Sequence, residues 1–271
     1  MSNKLTRREM AMLAAAGAAF GQEGAEATRE MEMFGLKHKM PAKPEQVVML
    51  VYPGMTALDL VGPQQVFGYT MGMQVHLVWK SSEPITTDTG LRLLPSKTFS
   101  DCPPDVDLLF VPGGGRETVA LMEDRAVTEF LSRVGGKAKY VTSVCSGSLV
   151  LGAAGLLRGY RATSHWAVRD VLPLLGATAV EARYVEDRNR ITAGGITSGI
   201  DFGLRIAGKL RGDDFGRALE LTLEYDPEPP YGTGTPKKAG ARVGQAMTQM
   251  YRPLQAAARA AAERVAKGVK S

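Results

Sequence analysis

The chain has 271 residues, 44% hydrophobic and 23% charged, which is enough to bury a substantial core in one main domain with extensions. Its net charge of +5 raises nucleic acid as a partner, but the excess is local: residues 237–271 carry eight Lys or Arg against one acid, residues 46–236 eighteen against twenty-one. Two cysteines, Cys102 and Cys145, and three histidines, His38, His76 and His165, exclude a disulfide framework, a four-cysteine metal site and a histidine-rich one.

Residues 1–27 read as a twin-arginine export signal. Thr6, Arg7 and Arg8 precede a small and apolar run, Met10 to Phe20, that is shorter than the roughly twenty apolar residues a bilayer requires. Ala25-Glu26-Ala27 then offers a cleavage site, although Met10 stands where the strongest such signals carry phenylalanine. A frayed amphipathic helix with two surface arginines is the competing reading. Export predicts a periplasmic protein, and an unused signal a cytoplasmic one. Residues 28–45, charged and proline-containing, read as a linker, and residues 46–236 as the catalytic body.

Gln46 to Tyr52 is an almost continuous apolar run ended by Pro53-Gly54, which suits a parallel strand buried on both faces. A helix is expected over Ala57 to Phe67, a second strand over Met73 to Trp79, a small hairpin arm over Asp88 to Leu94, and a third buried strand over Val106 to Val111. Pro112 to Gly115 follows, then one helix from Arg116 to Val134, a strand into Val144, and a small-residue helix start. Further on come a short strand at Arg161 to Thr163, a helix from Trp166, strand segments at Ala179 to Val185 and Arg190 to Thr192, and a helix after Gly194-Gly195. Strands alternating with helices at this spacing predict the doubly wound α/β class, a mostly parallel sheet with helices on both faces. Such sheets bind ligands beyond the carboxyl ends of their strands.

That rule gathers three turns at one crevice: Pro53 to Asp59, Pro112 to Gly115, and Cys145 to Gly147. Cys145 sits at a strand-to-helix joint among Ser146, Gly147 and Ser148, where a helix start would favour thiolate and a nucleophilic role. The plainer alternative is a small cysteine packed between strand and helix. Asp59, at an apolar strand end, is the candidate proton donor, its pKa raised by desolvation; an ordinary first-turn carboxylate is the alternative. The run Gly113 to Gly115, with Gly113 and Gly114 at its head, lacks G-x-G-x-x-G spacing, which speaks against a dinucleotide. Either their amides join that of Ser146 in stabilising an anion, or they only reverse the chain.

The segments L-D-L-V-G-P (58–63), V-H-L-V-W-K (75–80), F-S-D-C-P-P (99–104), V-P-G-G (111–114), Y-V-T-S-V-C-S-G-S-L-V-L-G-A-A-G-L-L (140–157), R-A-T-S-H-W (161–166), G-G-I-T-S-G-I-D-F (194–202) and L-E-Y-D-P-E-P-P (223–230) together resemble isonitrile hydratases. These are a branch of the PfpI-like superfamily, related to class I glutamine amidotransferases. The resemblance implies a flavodoxin-like, dimeric α/β sandwich that converts an isonitrile into an N-substituted formamide without metal or organic cofactor. It assigns the nucleophile to Cys145, the acid/base to Asp59 and a supporting hydroxyl to Ser146, where isonitrile hydratases carry threonine. It brings His165 near the elbow, where the ring could tune the thiol or help bind substrate. Peptidase and amidotransferase branches place histidine directly after the cysteine, whereas Ser146 stands there in this chain.

Two rivals use the same scaffold: glyoxalase or deglycase chemistry on carbonyls, and the ligand-sensing domain of AraC-type regulators. The second requires a DNA-binding region. Residues 237–271 offer a single basic, Ala-rich helix, too little for paired helix-turn-helix modules. No nucleic-acid partner is therefore expected. Membrane contact is expected only through the export signal or the basic tail.

Overall fold

The computed structural model describes Glu32 and residues 35–268. The export signal expected over residues 1–27 lies outside them. The described chain runs β1 (Glu45–Leu50), α1 (Ala57–Tyr69), β2 (Met73–Trp79), β3 (Ile85–Thr86), β4 (Arg92–Leu93), β5 (Lys97–Thr98), β6 (Leu108–Val111), α2 (Arg116–Leu121), α3 (Arg125–Gly135), β7 (Tyr140–Val144) and α4 (Gly147–Ala153). It continues with β8 (Arg161–Ala162), a 3-10 helix (Arg169–Leu175), β9 (Thr178–Ala179), β10 (Tyr184–Asp187), β11 (Arg190–Ala193), α5 (Ser198–Arg211), α6 (Asp213–Thr222) and α7 (Gly240–Gly268).

Seven strands form the central sheet in the order β10-β11-β7-β6-β1-β2-β5, parallel throughout except for the β10–β11 pair. Val47 pairs with Val75 on one side and Leu108 on the other. Residues 47–52 and 108–111 are buried throughout, as continuous apolar strands under two helical layers must be. On one face, Phe67 of α1 and Phe202 of α5 meet Phe110 of β6, with ring centroids 5.8–6.5 Å apart. Strand order reverses between β1 and β6. The turns after these strands therefore open onto the crevice where such sheets bind ligands.

The local differences from expectation have physical causes. The helix expected over Arg116 to Val134 is broken, because Asp124 accepts the Val127 amide at 3.2 Å and starts a new helix, α3. The helix expected from Trp166 is a 3-10 helix beginning at Arg169, with Pro173 inside it. The strand segment expected at Ala179 to Val185 divides into β9 and β10, and β9 pairs with β8 outside the main sheet. Before β1, Lys37 and Lys39 donate their amides to Asp214 Oδ2 (3.1 Å) and Arg211 O (2.8 Å), so the end of the linker lies along α5 and α6.

The basic tail forms α7, a 29-residue helix with Pro253 inside. Its buried stripe is Ala258, Ala261 and Ala262, the i, i+3, i+4 pattern of a helix docked by one face. Arg264 grips Glu123 through two bonds of 2.6 and 2.7 Å, and Arg259 reaches Asp170 at 2.8 Å. Among the described residues, no helix is long and apolar enough to cross a membrane.

Candidate active site

Cys145 follows β7 directly and adopts φ 58, a left-handed conformation that costs a non-glycine residue about 1–3 kcal/mol and persists only where its surroundings enforce it. Here they do. Its amide donates to Ala193 O (3.1 Å) and Gly194 O (2.7 Å), while the Ser164 and Ser148 hydroxyls donate to its carbonyl at 3.0 and 3.3 Å. The turn needs glycine beside it: a Cβ on Gly147 would lie 2.2 Å from Val111 O, and one on Gly113 would lie 2.5 Å from Ser146 N. Small residues around the cysteine thus let the β6 turn press against the elbow.

The three predicted turns meet. Gly113 donates its amide to Asp59 Oδ2 at 3.0 Å, and Gly113 O accepts from Thr56 N at 2.9 Å. Ser146 Oγ accepts the Gly114 amide at 2.9 Å and donates to Gly114 O at 2.8 Å. Below them the Tyr52 hydroxyl donates to Pro112 O at 3.0 Å and bonds Thr118 Oγ1 at 2.8 Å. Tyr52 reads as plain core in the sequence, and only the fold reveals its hold on the Pro112 turn.

Asp59 and Cys145 are both buried and interact as a side-chain pair. Oδ1 of Asp59 is buried without a hydrogen-bond partner, while the Cys145 thiol and the Gly113 amide both act on the carboxyl. Burial raises the Asp59 pKa to about 7, against the lowering pull of the thiol and the Gly113 amide. For Cys145 the expectation of a thiol tuned toward thiolate is corrected: burial, then the Asp59 charge, push its pKa up. The Ser146 and Ile196 amides bond to the sulfur and pull the other way without prevailing.

Those two amides also revise the anion-stabilising pocket expected from Gly113 and Gly114. The Gly113 amide is committed to Asp59 and the Gly114 amide to Ser146, so neither is free for substrate. The donors at the sulfur are Ser146, as anticipated, and Ile196, for which the sequence offers no signal because a backbone donor has no side-chain signature. Ser146 acts through its amide on the sulfur and through its hydroxyl on the Gly114 turn.

His165 packs against Gly195, where an added Cβ would lie 2.8 Å from the His165 ring. Its Nδ1 accepts the Ala167 amide at 3.3 Å. Burial, and then Arg169, hold its pKa down to about 4, so the imidazole is neutral at physiological pH. Among the described residues, no group of three or more His, Cys, Asp or Glu side chains is placed to hold a metal ion.

A flavodoxin-like α/β sheet with a strained cysteine elbow at its strand ends, and a buried carboxyl beside the thiol, defines the class. Residues 45–209 match the sequence model of the DJ-1/PfpI family, and the chain belongs to that family. It is 50% identical over 198 residues to isonitrile hydratase of Pseudomonas putida, covering 73% of this chain and 86% of that enzyme. A crystal structure of a THiJ/PfpI family protein from Pseudomonas syringae superposes with a TM-score of 0.79 at 50% identity, covering 80% of this chain and 90% of that one. An HTH-type transcriptional regulator of Pseudomonas aeruginosa is 29% identical over 181 residues, which cover 65% of this chain but 46% of the regulator.

Proposed function

We propose that the protein is an isonitrile hydratase that adds water to an isonitrile to give an N-substituted formamide. The observation that carries the reading is the buried Cys145 thiol paired with the Asp59 carboxyl. The 50% identity to a named isonitrile hydratase supports it. On this reading the protein works as a homodimer without metal or organic cofactor and binds no nucleic acid.

The terminal isonitrile carbon accepts a soft nucleophile and needs one proton. Cys145 Sγ attacks that carbon as Asp59, in its carboxylate form, takes the thiol proton. Asp59 then passes the same proton to the carbon, leaving a thioimidate, R–N=CH–S–Cys145. Water adds across the C=N bond: Asp59 removes a proton from the water and delivers it to nitrogen, while the oxygen bonds to carbon. The C–S bond then breaks as the carbonyl forms, the hydroxyl proton returns through Asp59 to sulfur, and R–NH–CHO leaves. The net change is one water per isonitrile. The Ser146 and Ile196 amides stabilise sulfur whenever it carries charge, at attack and at departure. Neutral His165 borders the site without supplying a proton.

The test is NMR detection of N-cyclohexylformamide from cyclohexyl isonitrile, with Cys145→Ala as control. Formamide that disappears in the variant is the expected result. Lack of product from wild-type protein with a reduced thiol, or equal turnover by the variant, would overturn the reading.

A further inference from the structure

Three rings stand beside the elbow and take no part in its proton transfers. His165 and Trp166 follow β8, and Tyr251 reaches them from α7. Their centroids lie 5.4 Å apart for His165–Trp166 and 5.3 Å apart for both pairs involving Tyr251. All three side chains are half-buried. The route from these rings to the sulfur is short. Ser164 bonds the Cys145 carbonyl, the His165 ring presses on Gly195, and the next residue, Ile196, gives its amide to the thiol while 37% of its own surface stays exposed.

The wall has the chemistry of an apolar subsite. Its imidazole is neutral, and the two other rings present large uncharged surfaces. A cavity of about 180 Å³ lies against Trp166, lined by Pro236, Ala239, Val243 and Met247 among others, and gives that ring space to yield. Tyr251 is held where it is by the docked half of α7: Gln255 and Arg259 bind Asp170, and Ala258, Ala261 and Ala262 are buried. A free isonitrile is linear through its nitrogen, so with its terminal carbon facing Sγ for attack its substituent points away from the sulfur. Asp59, Gly113 and Ser146 meet on one side of the elbow, and Ile196, through Gly195, joins its sulfur to the His165 ring.

We infer that the His165–Trp166–Tyr251 wall receives the hydrocarbon substituent of the substrate, with Tyr251 on α7 as a specificity-determining residue. The identity of the reacting group rests on the hydratase reading. The class of group bound, uncharged and of about ring size, rests on the wall itself.

Two readouts on the full chain test this. The first compares kcat/KM for cyclohexyl and methyl isonitrile in wild type, Tyr251→Ala and Tyr251→Phe. The preference for cyclohexyl falls about tenfold in Tyr251→Ala and is kept in Tyr251→Phe. The second needs no turnover: Cys145 is alkylated with N-cyclohexylmaleimide or N-methylmaleimide, and the labelled peptide is resolved from that of Cys102 by mass. The wall predicts a cyclohexyl preference in wild type that falls by a similar factor in Tyr251→Ala. Equal rates for both reagents in wild type, or an equal loss for both in the variant, would overturn the inference and leave the rings as an anchor for α7. An intact alkylation preference in a protein that turns over no isonitrile would reject the hydratase reading and retain the wall. Should Tyr251→Ala fail to fold, Tyr251→Leu, which removes the ring and keeps apolar volume, takes its place in both readouts.

Discussion

Gly113 holds Asp59 by a single backbone bond of 3.0 Å from its amide to Oδ2, and the carboxyl held in this way also interacts with the Cys145 thiol. The consequence is a carboxyl and a thiol that titrate as a pair. With Asp59 raised to about 7 and Cys145 raised further, the first proton leaves the pair near pH 7 and the second well above that.

The proposed reaction needs the pair in its one-proton state, because Asp59 must first accept the thiol proton. Below pH 7 both groups are protonated and turnover is lost. The expected profile of kcat/KM therefore rises about tenfold per pH unit up to about 7 and then levels. Asp59→Asn removes this inflection and lowers kcat/KM by about 10²–10⁴. A profile that instead falls as pH rises through 7 would show that Asp59 must start protonated.

Much of this was readable in the residues. Continuous apolar runs mark β1 and β6, and the small residues around Cys145 mark the elbow. What was not readable depends on partners distant in sequence. β5 is two residues long, Lys97–Thr98, and is a strand only because Trp79 lies beside it. The Ile196 amide belongs to the site only because the β11 strand end approaches the elbow. Asp59 and Cys145 are each legible as candidates, but the sequence offers both a helix start and a packed cysteine at position 145, and only the fold, by adding the Asp59 charge to the burial, decides the direction in which the thiol shifts. Tyr251 sits in an Ala-rich helix whose importance becomes visible only when its stripe is docked.

Stability should carry the mark of Asp59 as well. Its folded pKa lies above its unfolded value, so the native state retains a proton that the unfolded chain loses as pH rises past 3.8. The contribution is fully present below pH 3.8 and declines until about pH 7, where it levels. At about 1.4 kcal/mol per unit, the shift corresponds to about 4 kcal/mol. Urea unfolding at pH 5 and pH 8 should show the difference between wild type and Asp59→Asn moving in favour of the variant at the higher pH. A difference independent of pH would refute the burial of an ionised Asp59.

Ser146→Ala leaves the Gly114 amide and carbonyl without the hydroxyl that satisfies both. The expected loss is about 1–3 kcal/mol in urea unfolding, and Ser146→Thr, which keeps the hydroxyl, recovers most of it. Equal stability of the Ala and Thr variants would mean that the Ser146 hydroxyl does not hold the Gly114 turn.

Gly147→Ala tests the close approach of the elbow to β6. The new methyl would sit 2.2 Å from Val111 O and 2.7 Å from Pro112 O, and both are backbone atoms that move only with the strand end. Destabilisation by about 3 kcal/mol or more is expected, with loss of Cys145 alkylation specificity. Wild-type unfolding behaviour would mean that the β6 turn is looser than this contact implies.

α7 is attached in two ways, by an ion pair and by a buried stripe. Arg264 and Glu123 form a two-bond ion pair, but the arginine is exposed to solvent, so water and salt weaken what the geometry promises. Arg264→Ala should leave the helix docked. Ala261 is fully buried in the stripe that faces the body, and an aspartate there would need either an unpaired buried charge or a displaced helix. Displacement is the cheaper outcome, so limited proteolysis of Ala261→Asp should release fragments cut within residues 240–268 while the body stays intact. The cyclohexyl preference at Cys145 should fall with it, because Tyr251 leaves with the helix. Proteolysis equal to wild type in Ala261→Asp, or release in Arg264→Ala, would reverse the ranking of burial over ion pairing.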